Sequence, residues 1–275
     1  MVAPILWVET IKEFKTKPLQ NAVREIQRHG IQPDVIFCRV DREIPEKFLK
    51  KVSNLTNVPR GCVFEAPDVK SIYQVPIEFY NRQVDDLFAD MLRLGRSRCN
   101  IHKFREIVEK HVTNDLPAIN IGIFGKYENC DEAYISLKEA CLHAGIANDV
   151  RVDIVWINAE DLESVKSKNL WQRKIPSDLH GVIVPGGFDT RGVEGKIKAI
   201  QWARENNVPF LGICLGLQCA VIEFARNVCG IKGATSVEFD KNADDPVIHF
   251  VEGQEKISKK SGTMRLGAFD CELTK

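Results

Sequence analysis

The sequence predicts an α/β protein built around parallel sheets. Short apolar segments typical of buried strands alternate with amphipathic segments of helical period, both before residue 95 and after residue 117. Strands that alternate with helices in this way form parallel sheets covered by helices. Between these two regions the sequence is charged and weakly periodic, which predicts a boundary near residues 112–117.

The first region is predicted to contain three helices and two strands. Residues 20–30, QNAVREIQRHG, have Val23 and Ile26 at helical spacing and Gly30 as the residue that ends the helix. The elements that follow are a buried strand in PDVIFCRVD (33–41), a helix in PEKFLKKVSNLTNV (45–58) with Pro45 in its first turn, a strand and turn in GCVFEAPDV (61–69), and an amphipathic helix in IEFYNRQVDDLFADMLRL (77–94).

The second region repeats the alternation. Its predicted elements are a strand in AINIGIFGKY (118–127), a helix in AYISLKEACLHAG (133–145), a strand in RVDIVWI (151–157), a strand and glycine-rich turn in DLHGVIVPGG (178–187), a helix in EGKIKAIQWARENN (194–207), a strand in VPFLGIC (208–214) and a helix in LQCAVIEFARNVCG (217–230). After Lys232 turn residues cluster and the period fades, although PVIHFVEG (246–253) alternates as a strand does.

Composition narrows the class of protein. The chain has 275 residues, 44% of them hydrophobic and 28% charged, which is typical of a globular protein with a substantial core. Its 38 basic residues balance 38 acidic ones, so neither nucleic acid nor an anionic membrane is predicted as a partner. No apolar run is long enough to span a bilayer, and no signal peptide is recognisable. Nine scattered cysteines without a CxxC pair favour reduced thiols, and we predict a cytoplasmic protein.

One cysteine stands in a position suited to nucleophilic chemistry. In PFLGICLGLQ (209–218), Cys214 lies between glycines, at the end of a predicted strand and just before a predicted helix. The unpaired N–H groups and partial positive charge of a helix N-terminus favour a thiolate, and the N–H of Leu215 would point toward a developing oxyanion. The alternative is a small buried hydrophobic residue, as cysteines in apolar strands usually are; Cys219 and Cys229 fit that alternative better.

A second motif precedes it along the chain. GVIVPGGFDTRGVEGK (181–196) is a predicted strand that leads into a Pro-Gly-Gly turn, where the backbone can approach a ligand and the N–H of Gly187 can serve as a second oxyanion donor. The alternative is a plain tight turn. Together, PGGF and GICLGLQ resemble the class I glutamine amidotransferases, in which a cysteine attacks the side-chain amide of glutamine and releases ammonia.

Further motifs narrow the resemblance to the CTP synthases, which use ATP and glutamine to aminate UTP to CTP. KTKPLQNAVREI (15–26), IQPDVIFCR, PDVKSIYQVP, VEFD and GTMRLG occur in that family's order across nearly the whole chain. The resemblance implies the C-terminal part of a synthetase α/β domain over residues 1–112. An incomplete, flavodoxin-like amidotransferase domain with a parallel or mixed sheet would follow over 113–275. It also implies GTP as an activator and a homo-oligomer, either a tetramer or a filament.

The resemblance assigns site residues position by position. The nucleophile would be Cys214, and glutamine or its oxyanion would be held by Gly187, Leu215, Gly216, Leu217, Gln218, Glu238 and Arg265. UTP or CTP would be contacted by Lys15, Thr16, Lys17, Pro18, Leu19, Gln20 and Lys51. The adenine of ATP would meet Pro67, Asp68 and Val69, and the GTP-responsive lid would contain Arg191, Gly192 and Glu194. For Lys15 and Lys17 the alternative is an ordinary solvated surface charge.

Two parts of the family's pattern are missing, from which we expect a chain truncated at both ends. The first fourteen residues contain no phosphate-binding G-x-x-x-x-G-K-[ST], and the acidic Mg²⁺ ligands are absent, so no metal site is predicted. No H-x-E follows Cys214, although the family uses this histidine and glutamate to form the thiolate. Two single residues also differ from the family's usual pattern: Leu19 replaces a threonine and Asp189 replaces a glycine. We therefore expect this chain not to be competent by itself.

Two alternatives to a CTP synthase polypeptide stay open. A catalytically inactive paralog or isoform that keeps the ligand-binding segments would act as a regulatory or assembly partner of full-length CTP synthase. A separate cysteine hydrolase would instead use His249, in PVIHFVEG, as its base.

Overall fold

The computed structural model describes residues 1–95, 99–113, 115–126, 131–187 and 190–250. The chain divides into two compact units, the first from Met1 to Asp115 and the second from Leu116 onward. Each contains a parallel sheet with helices, so the predicted α/β fold class is confirmed. The assignment of residues 1–112 and 113–275 to two domains stays a prediction.

The first unit is built on a three-stranded parallel sheet in the order β1-β4-β5, accompanied by an antiparallel pair, β2 and β3. Its strands are β1 (Val2–Pro4), β2 (Leu6–Val8), β3 (Glu13–Lys15), β4 (Ile36–Val40) and β5 (Val63–Pro67). Its helices are α1 (Lys17–Arg28), α2 (Glu46–Thr56), α3 (Gln74–Asn81), α4 (Val84–Met91) and α5 (His102–Thr113). Leu19, Ile36 and Val52 are fully buried in the core between α1, α2 and the sheet.

Several of these elements differ from the predicted ones. The amphipathic segment predicted as one helix forms α3 and α4, because Gln83 adopts a left-handed backbone conformation with φ of 57° that interrupts the helix. Pro45 is the N-cap of α2 and lies just outside the first turn. Helix α5 lies in the charged stretch where no element was predicted, and strands β1 to β3 were not predicted either.

The second unit is built on a four-stranded sheet, all parallel, in the order β7-β6-β8-β9. Its strands are β6 (Ala118–Gly125), β7 (Arg151–Asn158), β8 (Gly181–Val184), β9 (Phe210–Gly212) and a small pair, β10 (Thr235–Ser236) and β11 (Pro246–Ile248). Its helices are α6 (Ile135–Ala147), α7 (Ala159–Glu163), α8 (Lys168–Gln172), α9 (Val193–Glu205) and α10 (Leu215–Asn227). Phe124, Val184 and Ile222 are fully buried in its core.

The two motifs that suggested chemistry lie at the same edge of this sheet. Strands β8 and β9 are parallel neighbours with Val184 opposite Gly212, so both strands end at the same level. The turn Pro185–Gly187 follows β8, and Cys214 follows β9. In open α/β sheets the carboxyl ends of the strands form the binding crevice. The topology therefore places both motifs where such folds bind ligands.

Within the part of the chain that the structure describes, no helix is both long and apolar enough to span a membrane.

Candidate active site

Cys214 lies on a sharp turn between β9 and α10. Its backbone has φ of 53° and ψ of −109°, a combination that L residues rarely adopt and that costs conformational energy. The N–H of Ile213 donates to the carbonyl of Val184 at 3.0 Å, which ties the turn to β8. The side chain of Cys214 is exposed. Helix α10 begins at Leu215, two residues earlier than predicted, so the thiol lies directly at the N-terminus of the helix.

Close backbone packing holds this turn in place. A Cβ on Gly216 would lie 2.0 Å from the carbonyl oxygen of Val184, and one on Gly212 would lie 2.7 Å from the backbone of Gly216. Only glycine fits at either position, because real Cβ atoms do not approach other atoms so closely. The first turn of α10 therefore rests directly on the backbone of β8. The N–H of Leu215 has no acceptor among the described residues, as is usual at the first position of a helix.

The Pro185–Gly187 turn lies against the thiol. A Cβ placed on Gly186 would be 3.2 Å from the Cβ of Cys214 and 3.8 Å from its Sγ. A cavity of about 390 Å³ opens beside this turn, bordered by Pro185, Gly186 and Ile213 on one side and by residues of α6 on the other. The structure thus places Cys214 and Leu215 beside the Pro185–Gly187 turn, next to space for a small ligand. The oxyanion roles of Leu215 and Gly187 stay predictions.

Lys196 is a component of this region that the sequence analysis missed. This residue of α9 has 0% of its surface exposed, and its Nζ donates to the carbonyl of Pro185 at 3.2 Å. Burial lowers the pKa of its ammonium group. A signal was present in the sequence, because Lys196 shares a helical face with the apolar Val193 and Ile200 in VEGKIKAI.

The other cysteines show how different Cys214 is. The seven cysteines that the structure describes are free thiols. Burial raises the pKa of Cys38 to about 12 and that of Cys219 to about 11, so both are neutral, unreactive groups near pH 7. Cys219 therefore fits the predicted role of a small buried residue, whereas Cys229 is exposed and does not. Among these thiols only Cys214 combines exposure with a position at a helix N-terminus.

Three further residues predicted for the second unit, Leu217, Glu238 and Gly192, lie on different segments. Leu217 is exposed on the first turn of α10, and the backbone N–H of Glu238 donates to Ser236 Oγ at 3.1 Å. Gly192, with φ of 72°, is the N-cap of α9, and its N–H donates to Glu163 Oε2 at 2.8 Å.

Ion pairs involve the two charged residues predicted for the lid. Arg191 Nε lies 3.6 Å from Glu160 Oε1, and Glu194 pairs with Arg226 at 2.9 Å. Arg265 and Asp189 lie outside the described residues.

In the first unit, the predicted nucleotide residues 15–20 lie at the end of β3 and the start of α1, and Lys51 lies on α2. Lys15, the last residue of β3, pairs with Glu13 at 2.6 Å. This hydrogen bond lowers the pKa of Glu13, and the charges of Lys51 and Lys47 act in the same direction. Lys17 and Pro18 form the beginning of α1. The charges of Lys15 and Lys51 therefore both act on Glu13, and their sharing of a nucleotide site stays a prediction.

Other residues of this set have structural partners. Thr16 is buried, and its hydroxyl accepts a hydrogen bond of 2.8 Å from Gln20 Nε2. Leu19 is fully buried in the core, so a contact from Leu19 to a nucleotide would have to use its backbone.

The residues predicted to meet adenine follow the end of β5. The N–H of Asp68 donates to the carbonyl of Val40 at 2.9 Å, and its carboxylate pairs with Arg39. Pro67 is the last residue of β5, and Val69 comes after Asp68.

His249 lies just after β11. Its Nε2 is 3.0 Å from the carbonyl of Pro246. Among the residues that the structure describes, no histidine is hydrogen-bonded to the thiol of Cys214. Use of His249 as a base stays a prediction, as does the role of a regulatory or assembly partner.

An exposed cysteine on a strained strand-to-helix turn, packed against a glycine turn at the end of the neighbouring strand, is typical of α/β proteins that use a cysteine nucleophile. Comparison with known families agrees with this class. Residues 130–275 match the family model of the class-I glutamine amidotransferases, and residues 1–94 match that of the CTP synthase N-terminus. The chain belongs to the CTP synthase family and carries a class-I glutamine amidotransferase domain.

Individual relatives extend this match along almost the whole chain. A CTP synthase of Methanocaldococcus jannaschii is 45% identical over 273 residues, which cover 99% of this chain and 50% of that protein. A CTP synthase of Maridesulfovibrio salexigens is 47% identical over 95% of this chain and 49% of its own length. The chain thus spans about half the length of the curated relatives that it matches. Among solved structures, the glutaminase domain of Trypanosoma brucei CTPS with bound acivicin is 38% identical, with a TM-score of 0.45, over 49% of this chain and 50% of that one.

Proposed function

We propose that Cys214 hydrolyses glutamine and that the ammonia released is used to aminate UTP to CTP. The observation that carries the proposal is the exposed Cys214 at the N-terminus of α10, with Gly186 in contact with its side chain. In a chain that belongs to the CTP synthase family and carries a class-I glutamine amidotransferase domain, such a cysteine would act as the nucleophile that attacks glutamine. The known chemistry of amide hydrolysis by a thiol gives each nearby group a role.

The proposed reaction has two steps. The Sγ of Cys214 forms a bond to the carbon of the glutamine side-chain amide, and the N–H groups of Leu215 and Gly187 stabilise the negative charge on its oxygen. The C–N bond then breaks, and ammonia leaves with the proton that the thiol gave up. Water hydrolyses the resulting thioester, which releases glutamate and restores the thiol. The missing acceptor of the Leu215 N–H and the cavity beside the turn support this assignment.

The first unit would contribute the nucleotide contacts. Lys15 lies two residues before α1, and the charge of Lys51 on α2 acts on the same Glu13 as Lys15 does. Two ammonium groups of this kind suit a triphosphate. A bound UTP or CTP would compete with Glu13 for Lys15. The adenine of ATP would meet the backbone of Pro67–Val69, and Arg191, Gly192 and Glu194 would respond to GTP.

No step is assigned to a metal. Among the described residues, no three His, Cys, Asp or Glu side chains are grouped so that they could hold a metal ion.

The glutaminase role can be tested with a glutamine analogue that carries an electrophilic carbon in place of the amide. We expect this analogue to label Cys214 of the 275-residue chain, with excess glutamine slowing the reaction. Cys214→Ser should abolish labelling at this site, and the matched control Cys219→Ser should leave it unchanged. Mass spectrometry of the peptides identifies the labelled residue. Labelling of the exposed Cys99 and Cys229 at the same rate as Cys214, without protection by glutamine, would contradict the proposal.

A further inference from the structure

Two lysines of α9 are held in very different ways. Lys198 is partly buried, and its Nζ donates to three carbonyls at the end of α7, those of Leu162, Glu163 and Val165, at 2.9 to 3.1 Å. All three N–H donors of its ammonium group therefore have acceptors. Lys196 is fully buried, yet among the described residues its Nζ has a single acceptor, the carbonyl of Pro185.

An incompletely paired ammonium group is expensive to bury, so its position calls for an explanation. Two N–H donors of Lys196 have no described acceptor, whereas the neighbouring Lys198 shows that α9 can satisfy a lysine completely. The burial of Lys196 also lowers the pKa of its ammonium, as expected for a charge removed from water. Such a charge is stabilised when an anion forms beside it.

The surroundings of Lys196 show where that anion would form. Its Nζ contacts the carbonyl of Pro185 and lies 3.9 Å from the position of a Cβ on Gly187. The intervening Gly186 packs against the Cβ and Sγ of Cys214. The Pro185–Gly187 turn is thus held between the ammonium group of Lys196 and the thiol of Cys214.

We propose that Lys196 is a positioning residue for the reaction of Cys214. Its hydrogen bond fixes the Pro185–Gly186 peptide plane, and with it the start of the turn that carries the N–H of Gly187. Its positive charge favours the negative charge that forms first on Sγ and then on the amide oxygen. The inference rests on the proposed function, because it takes Cys214 as the nucleophile.

The other charged groups near this site do not cancel the effect. Glu194, on the same helix, is paired with Arg226 of α10. Cys219 of α10 is buried, and burial raises its pKa to about 11, so it remains a neutral thiol near pH 7. Lys126, at the end of β6, adds a second positive charge, which also lowers the pKa of Lys196. None of these three groups therefore offsets the positive charge of Lys196.

The test is the pH dependence of alkylation of Cys214 by iodoacetamide, followed on its peptide by mass spectrometry. Lys196→Met removes both the charge and the donor, whereas Lys196→Gln removes the charge and keeps a donor. In both variants we expect the pH of half-maximal alkylation rate to rise by about one pH unit, and the rate at pH 7 to fall about tenfold. Lys198→Met is the matched control and should leave the profile unchanged.

Each other outcome overturns part of the proposal. An unchanged profile in Lys196→Met, with folding verified by urea unfolding, would rule out any effect on the thiol. A shift in Lys196→Met alone would rule out the role of the charge. A similar shift in Lys198→Met would mean that the profile reports only the packing of α9. Because iodoacetamide needs no glutamine site, a shifted profile without labelling by the glutamine analogue would reject the proposed function, and with it the role of Lys196 in that reaction, and would leave only an effect of Lys196 on the thiol.

Discussion

The chain contains two strand-to-helix turns that carry its candidate ligand residues, and they are built differently. Between β3 and α1, Thr16 has an ordinary backbone conformation, with φ of −92° and ψ of −2°, and it is buried with its hydroxyl bonded to Gln20. Between β9 and α10, Cys214 has φ of 53° and ψ of −109° and exposes its side chain. The first turn satisfies its own polar groups, whereas the second holds a reactive group out of its preferred conformation.

The turn between β3 and α1 is therefore part of a charged surface, whereas the turn between β9 and α10 is held in one conformation by close packing. Around the first turn the groups that can bind a ligand are exposed cations, and Lys15 is already paired with Glu13. A ligand there must displace an existing partner. Around Cys214 the backbone of β8, the Pro185–Gly187 turn and Lys196 are held by contacts within the protein itself. The energy that this arrangement requires must come from the packing of the second unit.

The largest expected effect comes from the packing that supports the strained turn. Gly216→Ala would place a Cβ 2.0 Å from the carbonyl of Val184, so α10 would have to move away from β8. We expect a loss of about 3 kcal/mol or more in the free energy of unfolding, measured in urea, together with loss of labelling at Cys214. Gly61→Ala is the control, because a Cβ there meets nothing within 4 Å. Equal stability of the two variants would show that the close contact does not support the turn.

The strained backbone of Cys214 predicts a smaller effect: at this position glycine should give a more stable protein than alanine, the reverse of the order expected inside a helix. Glycine tolerates the backbone of Cys214 better than alanine does, so Cys214→Gly should be more stable than Cys214→Ala by about 1 kcal/mol. Cys219 lies inside α10, where glycine should instead be less stable than alanine by about 1 kcal/mol. Urea unfolding of the four variants measures both differences. The same sign at the two positions would mean that Cys214 is not strained.

The fold class and the two motifs of the candidate site could be predicted from the sequence, because residue type alone indicates them. The alternation of strands and helices, the position of Cys214 before a helix, and the Pro-Gly-Gly turn are all visible without a structure. Parallel pairing of β8 with β9 then brings the turn and the cysteine together, as fold rules lead one to expect. Helix α5 was missed because its polar residues hide the helical period.

Other features depend on three-dimensional packing and were not predictable. Nothing in the residue type of Gln83 indicates that it would adopt positive φ and divide a continuous amphipathic pattern into α3 and α4. Lys196 and Lys198 are both lysines two positions apart, and only the structure shows that one is fully buried beside the turn. Lys196 therefore differs from Lys198 in its complete burial and in its single hydrogen-bond acceptor, and neither property can be seen in the sequence.

The smallest expected effect concerns the first turn. Lys15 lowers the pKa of Glu13, so this carboxylate stays charged at neutral pH and competes with any anionic ligand of Lys15. Removing its charge in Glu13→Gln should strengthen UTP binding about two- to fivefold at low salt, with a smaller gain at high salt because exposed charges are screened. Isothermal titration at two salt concentrations measures this change. Glu25→Gln, which removes an exposed carboxylate paired with Arg28 toward the other end of α1, is the control and should leave affinity unchanged. If Glu13→Gln bound UTP no more tightly than the control, the nucleotide would not bind at Lys15, and the lysines around Glu13 would be ordinary surface charges.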